Sequence, residues 1–167
     1  MRALLCRALA AKASLALAAC LVTLHLSAQE LPKPKITKPQ VEMPLRVLLI
    51  GNSYFYYNHS QTKPQNLTAT ARHYIEAANE IDALVIPVAL AFEEAYRQRP
   101  NVSLHMTYDG SHPNALGTYL AACVTFSSIY SQPCKGNIYN YFGQFSPEEI
   151  AFLQSVSDTV VQRFFNR

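Results

Sequence analysis

The sequence predicts an α/β fold carried behind an export signal. Three observations predict it. Two short aliphatic runs, residues 46–50 and 84–88, have the look of buried strands; segments of helical periodicity follow each of them; and a basic, then apolar N-terminal stretch stands apart from both. Half of the 167 residues are hydrophobic, enough for the core of one domain.

Residues 1–28 read as a signal peptide. Arg2, Arg7 and Lys12 lead into the apolar run 13–26, which is too short for a comfortable membrane span, and small and polar residues follow at Ser27, Ala28 and Gln29. Cleavage is expected after Ala28. A rival reading takes Leu17-Ala18-Ala19-Cys20 as a lipoprotein box, and only lipidation at Cys20 would bring a membrane into the account. Residues 29–44 form a Pro/Lys-rich tether: Pro32, Pro34, Pro39 and Pro44 lack the donor that a helix or a central strand needs.

Residues 46–50 are then expected as a strand, apolar on both faces as parallel strands are, and ended by the turn Gly51-Asn52-Ser53. Residues 67–80 read as a helix with Tyr74, Ile75 and Ala78 on one face. Residues 84–88 read as a second strand with Pro87 at its exit, and 89–98 as a helix with Phe92, Ala95 and Tyr96 inward. A further apolar helix is expected from Pro113 to about Tyr130. The last helix is the best signalled: Ser146 caps it, Pro147 takes the first turn, Glu149 completes a capping box, and Ile150, Leu153, Val156, Val160 and Phe164 form its apolar face.

Charge and cysteines narrow the functions. The chain carries 14 Lys+Arg against 11 Asp+Glu, but Arg2, Arg7 and Lys12 leave with the signal and no acid does. The remainder is balanced, and nucleic acid loses its electrostatic support as a partner. Cys6 and Cys20 also lie in the signal, leaving Cys123 and Cys134. In an oxidising compartment these are either a disulfide or two buried thiols, and their spacing is not that of a zinc knuckle. His59, His73 and His105 read as surface or satisfied core residues, and Glu93-Glu94 as a solvated helix face.

Two local features carry chemistry. A Ser in a tight turn directly after a strand faces the crevice where open α/β sheets bind ligands, so Ser53 is a candidate nucleophile. Asp109 and His112 are three apart on one loop, and Gly110 lets the chain curl so that the carboxylate holds one imidazole nitrogen. The bland alternatives are ordinary turn chemistry at Ser53 and an Asx-type turn at Asp109 that caps the next helix and leaves His112 solvated.

Taken together, "RVLLIGNSYFYYN" and "YDGSHPNALGTYLAACV" resemble the first and last sequence blocks of the SGNH (GDSL-like) hydrolases, in that order. The resemblance implies a three-layer α/β/α flavodoxin-like fold over residues 45–167. It implies Ser53 as nucleophile and oxyanion donor, His112 as base, Asp109 as its orienting partner, and Asn52 and Tyr54 beside the substrate. It also implies a small-molecule or carbohydrate ester as substrate, acetyl esters among them, with no metal or organic cofactor. The two middle blocks of the family, which supply a Gly N–H and an Asn side chain to the oxyanion hole, have no counterpart here. The expected fold is therefore incomplete, with the central strands absent and a deletion near residues 59–64. The expected protein is a secreted or periplasmic serine esterase, or an inactive truncated remnant that binds carbohydrate or a partner.

Overall fold

In the computed structural model, residues 30–39 and 64–167 are described. They hold four helices: α1 (Pro64–Glu80), α2 (Val88–Gln98), α3 (Ala115–Tyr130) and α4 (Pro147–Phe165). Helices α2, α3 and α4 pack against one another, and α1 rests on α2. None of them is long and apolar enough to cross a membrane.

The expected α/β/α sandwich is corrected by these elements. Among the described residues there is no sheet; the one β-type pairing is an isolated antiparallel bridge between His105 and Pro113. The first expected strand, residues 46–50, lies outside the described residues, as does the 59–64 junction up to Pro64. The second expected strand, 84–88, is not a strand. Strands persist only where neighbouring chains satisfy their N–H and C=O groups. Here the Val88 N–H donates to the Ile86 carbonyl at 2.9 Å around Pro87 (φ −83°, ψ 48°), a γ-type turn that leads straight into α2. The aliphatic side chains still find apolar surroundings. Leu84, Ile86 and Val88 lie partly buried against the helical core, as a connector rather than a ladder.

The helices themselves follow local chemistry. In α4 the Ser146 Oγ accepts the Glu149 N–H at 3.2 Å, and the Ser146 N–H donates to Glu149 Oε2 at 2.8 Å, which completes the reciprocal capping box. Its expected apolar face is buried at Leu153, Val156 and Val160, joined by Val161 and Phe165, while Ile150 and Phe164 are partly covered. Helix α3 carries no charged residue, as suits a helix covered on several sides. It starts two residues later than expected, because Asn114 is its cap: the Asn114 Oδ1 accepts the Gly117 N–H at 3.0 Å. Leu120 and Val124 of α3 and Leu153 and Val156 of α4 are essentially fully buried. Each such side chain contributes roughly 2 kcal/mol through removal of apolar surface from water. In α1, Ile75 and Ala78 face inward as expected, but Tyr74 is exposed.

One charged feature differs from the sequence expectation. Glu94 is not on a solvated face but buried in α2. Its carboxylate takes Arg97 Nε at 3.0 Å, Arg97 Nη2 at 2.6 Å and Gln98 Nε2 at 2.6 Å, and Arg163 of α4 approaches to 3.6 Å. Residues 32–39 have no regular secondary structure, and the Pro-rich stretch is anchored at the end of α1: the Lys35 N–H donates to Asn79 Oδ1 at 2.6 Å, and Asn79 Nδ2 donates to the Lys33 carbonyl at 3.0 Å. Ile36 is buried beside this clamp, and Lys35 pairs with Asp82.

Candidate active site

The loop between α2 and α3 is built to hold a fixed shape. At its base the Asn114 N–H donates to the Leu104 carbonyl at 3.0 Å, and the Met106 N–H donates to the His112 carbonyl at 2.8 Å. Asn114 serves both sides of this junction. Its Oδ1 caps α3 while its Nδ2 donates to the Ser103 carbonyl at 2.9 Å. Leu104 is fully buried under the loop, and its carbonyl lies so close to α3 that a Cβ on Gly117 would sit 2.2 Å from it. Only glycine allows this approach.

At the tip, Gly110 turns the chain with φ 64°, and its N–H donates to the Met106 carbonyl at 2.9 Å. The turn brings Asp109 and His112 together. Asp109 Oδ1 accepts the backbone N–H groups of Ser111 at 2.9 Å and His112 at 3.1 Å, while Oδ2 is bonded to His112 Nδ1. The Asx-type turn and the carboxylate–imidazole pair are thus the same structure, using one oxygen each. The Asx turn does not cap α3, which is the task of Asn114.

The electrostatics follow from those bonds. The Ser111 N–H beside Asp109, then the His112 ring and the His112 N–H, hold the Asp109 carboxyl down from 3.8 to about 2. It is an anion at any ordinary pH and therefore accepts from Nδ1, which fixes the proton there in the neutral ring. The His112 Nε2 makes no hydrogen bond to any of the described residues, and the side chain is half exposed. Such an imidazole can take a proton at Nε2 from a hydroxyl brought to it. Ser53, with Asn52 and Tyr54 beside it, lies outside the described residues.

Met106, Pro113 and Asn114, which flank the pair, also line an open groove of about 580 Å³ that runs along α3. Its far walls are aromatic: Tyr119, Phe126, Tyr139, Tyr141 and Phe145. Tyr141 stacks on Phe145 at 5.1 Å, and Tyr119 meets Phe145 edge-on at 5.6 Å. The loop that carries these rings is tied to α4, with the Gly136 N–H on Gln154 Oε1 at 3.0 Å and Gln154 Nε2 on the Tyr119 hydroxyl at 2.9 Å and the Asn137 carbonyl at 2.7 Å. Burial raises the Tyr119 hydroxyl to about 12, so it stays neutral. Sequence reasoning did not identify this groove. Tyr139, Tyr141 and Phe145 come from an irregular segment in which Tyr141 (φ 52°) and Phe142 (φ 58°) are left-handed and no periodic pattern is followed.

The other histidines are plain. His105 is buried between Phe92 and Tyr96, with Nδ1 hydrogen-bonded to the Tyr96 hydroxyl, and His73 is exposed beside Glu76. His59 lies outside the described residues. Comparison with known proteins finds no matching family model, no matching curated protein and no matching solved structure.

Proposed function

We propose that the chain is an exported serine ester hydrolase acting on small acyl esters, with Ser53 as nucleophile, His112 as general base and Asp109 as the residue that positions the imidazole. The observation that carries this reading is the Asp109–His112 pair: a carboxylate fixed by two backbone N–H groups that holds Nδ1, with Nε2 unbonded among the described residues. The likeness of the two sequence blocks to SGNH hydrolases supplies the nucleophile.

In this reading Nε2 removes the Ser53 hydroxyl proton as Oγ attacks the ester carbonyl, and the imidazolium is stabilised by the ionised Asp109. The same proton then passes to the leaving alcohol. Water, activated by Nε2, releases the acid from acyl-Ser53. The chemistry asks for no metal or organic cofactor. Each oxyanion donor absent from the site lowers turnover by about 10²–10³-fold, so a slow enzyme is expected. A second reading draws on the aromatic groove: a truncated remnant that binds carbohydrate or a partner without turnover.

Hydrolysis of p-nitrophenyl acetate by purified protein, wild type beside Ser53→Ala, separates the two. The proposal expects turnover that falls to background in the variant. Equal rates in both, or no turnover by folded wild-type protein, would leave the binding reading.

A further inference from the structure

Cys123 sits on the groove side of α3, and Cys134 begins the segment that returns toward α4. Both thiols are free and buried, both line the groove, and Asp158 Oδ1 accepts from the Cys134 N–H and from the Ser127 hydroxyl, which stands one turn beyond Cys123 on α3. Neither is loosely held. Cys123 is fixed by its helix, while the Cys134 N–H donates to Asp158 Oδ1 at 2.7 Å and the Lys135 N–H donates to Asp158 Oδ2 at 3.0 Å. The chain between them reverses at Ser131, which is left-handed with φ 55°. The two thiols are therefore brought to the same groove by separate anchors on separate elements.

We propose that Cys123 and Cys134 are a disulfide-forming pair, closed by exchange with a disulfide oxidant, and that the bond fastens the aromatic segment to α3 and fixes the far wall of the groove. The thiolate of one cysteine attacks one sulfur of the oxidant and breaks its S–S bond, and the departing thiolate takes a proton. The thiolate of the other then attacks that cysteine's sulfur, breaks the mixed disulfide and releases the second thiol. Two thiol protons and two electrons pass to the oxidant, which leaves as two thiols.

The test uses the full chain, reduced and then exposed to oxidised glutathione, followed by intact-mass measurement under alkylating conditions. The expected product is a monomer lighter by two hydrogens that no longer takes up alkylating reagent at either cysteine of the pair. Trypsin leaves both cysteines in the single peptide 98–135, because Pro100 protects Arg99. Chymotrypsin cuts between them at Phe126 and Tyr130, and the two fragments should stay joined until reduced. The oxidised form should melt higher than the reduced form by about 5–10 °C, as closing a short loop predicts. Cys134→Ser should abolish both the mass loss and the thermal shift; if that variant fails to fold, the wild-type mass and fragment data decide alone. Alkylation of both Cys123 and Cys134 after oxidation, a glutathione adduct retained on either of them, or cross-linking of the pair only between chains would overturn the proposal.

Discussion

Two carboxylates in this molecule are held at the same acidity by different means. Glu94, buried among α2 and α4, is drawn from 4.5 to about 2 chiefly by hydrogen bonds from Arg97, with Gln98 and Arg163 adding to them against the opposing effect of burial. Asp109, on an exposed turn, reaches about 2 through the Ser111 N–H first and the His112 imidazole second. The partners of Glu94 are guanidinium and amide groups that neither give up nor take protons at neutral pH. One partner of Asp109 is an imidazole, whose free nitrogen can do both. An acidic shift alone therefore does not mark a functional site; the chemistry of the partner does. Glu93, next to Glu94, makes the same point from the other side, since burial and its charged neighbour raise it.

Substitutions separate the two roles. Asp109→Asn should lower ester hydrolysis by about 10³–10⁴-fold with little change in melting, because the amide neither stabilises the imidazolium nor enforces the tautomer; steady-state rates beside a thermal melt check this. Glu94→Ala should do the reverse. It should lower stability by about 2–3 kcal/mol in urea unfolding, through the hydrogen bonds from Arg97 and Gln98 that are lost and the space left at a buried position, while the hydrolysis rate of the folded fraction is unchanged. Ser146→Ala, far from both, should cost about 1 kcal/mol by removing the α4 cap.

Acid should sharpen the contrast. The folded Glu94 carboxyl is depressed and buried, so what it contributes to stability is fully present above the ordinary carboxylate range and is lost as pH falls from about 4 toward 2. In Glu94→Gln the acid-sensitive loss of stability over that window should shrink. A pH series of melts on the two proteins measures it.

What the sequence made legible was local. The capping box at Ser146 and the Asp109–His112 pair lie within three residues of chain, so spacing and residue type suffice to predict the contact. The start of α3 was misplaced because Asn114, a good capping residue, sits next to a proline that reads as a first-turn residue. Residues 84–88 misled for a deeper reason. Aliphatic β-branched composition marks burial, and whether buried backbone becomes a strand depends on a neighbour the sequence does not name. Glu94 was misjudged likewise: nothing in Glu93-Glu94 announces that Arg163, on another helix, closes over it. The groove required the tertiary placement of Tyr139, Tyr141 and Phe145, which lie in an aperiodic segment.

The central claim is that Asp109 sets His112 with its proton on Nδ1 and its Nε2 open. Nitrogen-15 NMR of the imidazoles at a pH where His112 is neutral tests it directly, with His112→Ala used for assignment. The account predicts that His112 is the Nδ1–H tautomer and that this preference is lost in Asp109→Asn. An Nε2–H tautomer in wild type, or a tautomer unchanged by Asp109→Asn, would contradict it.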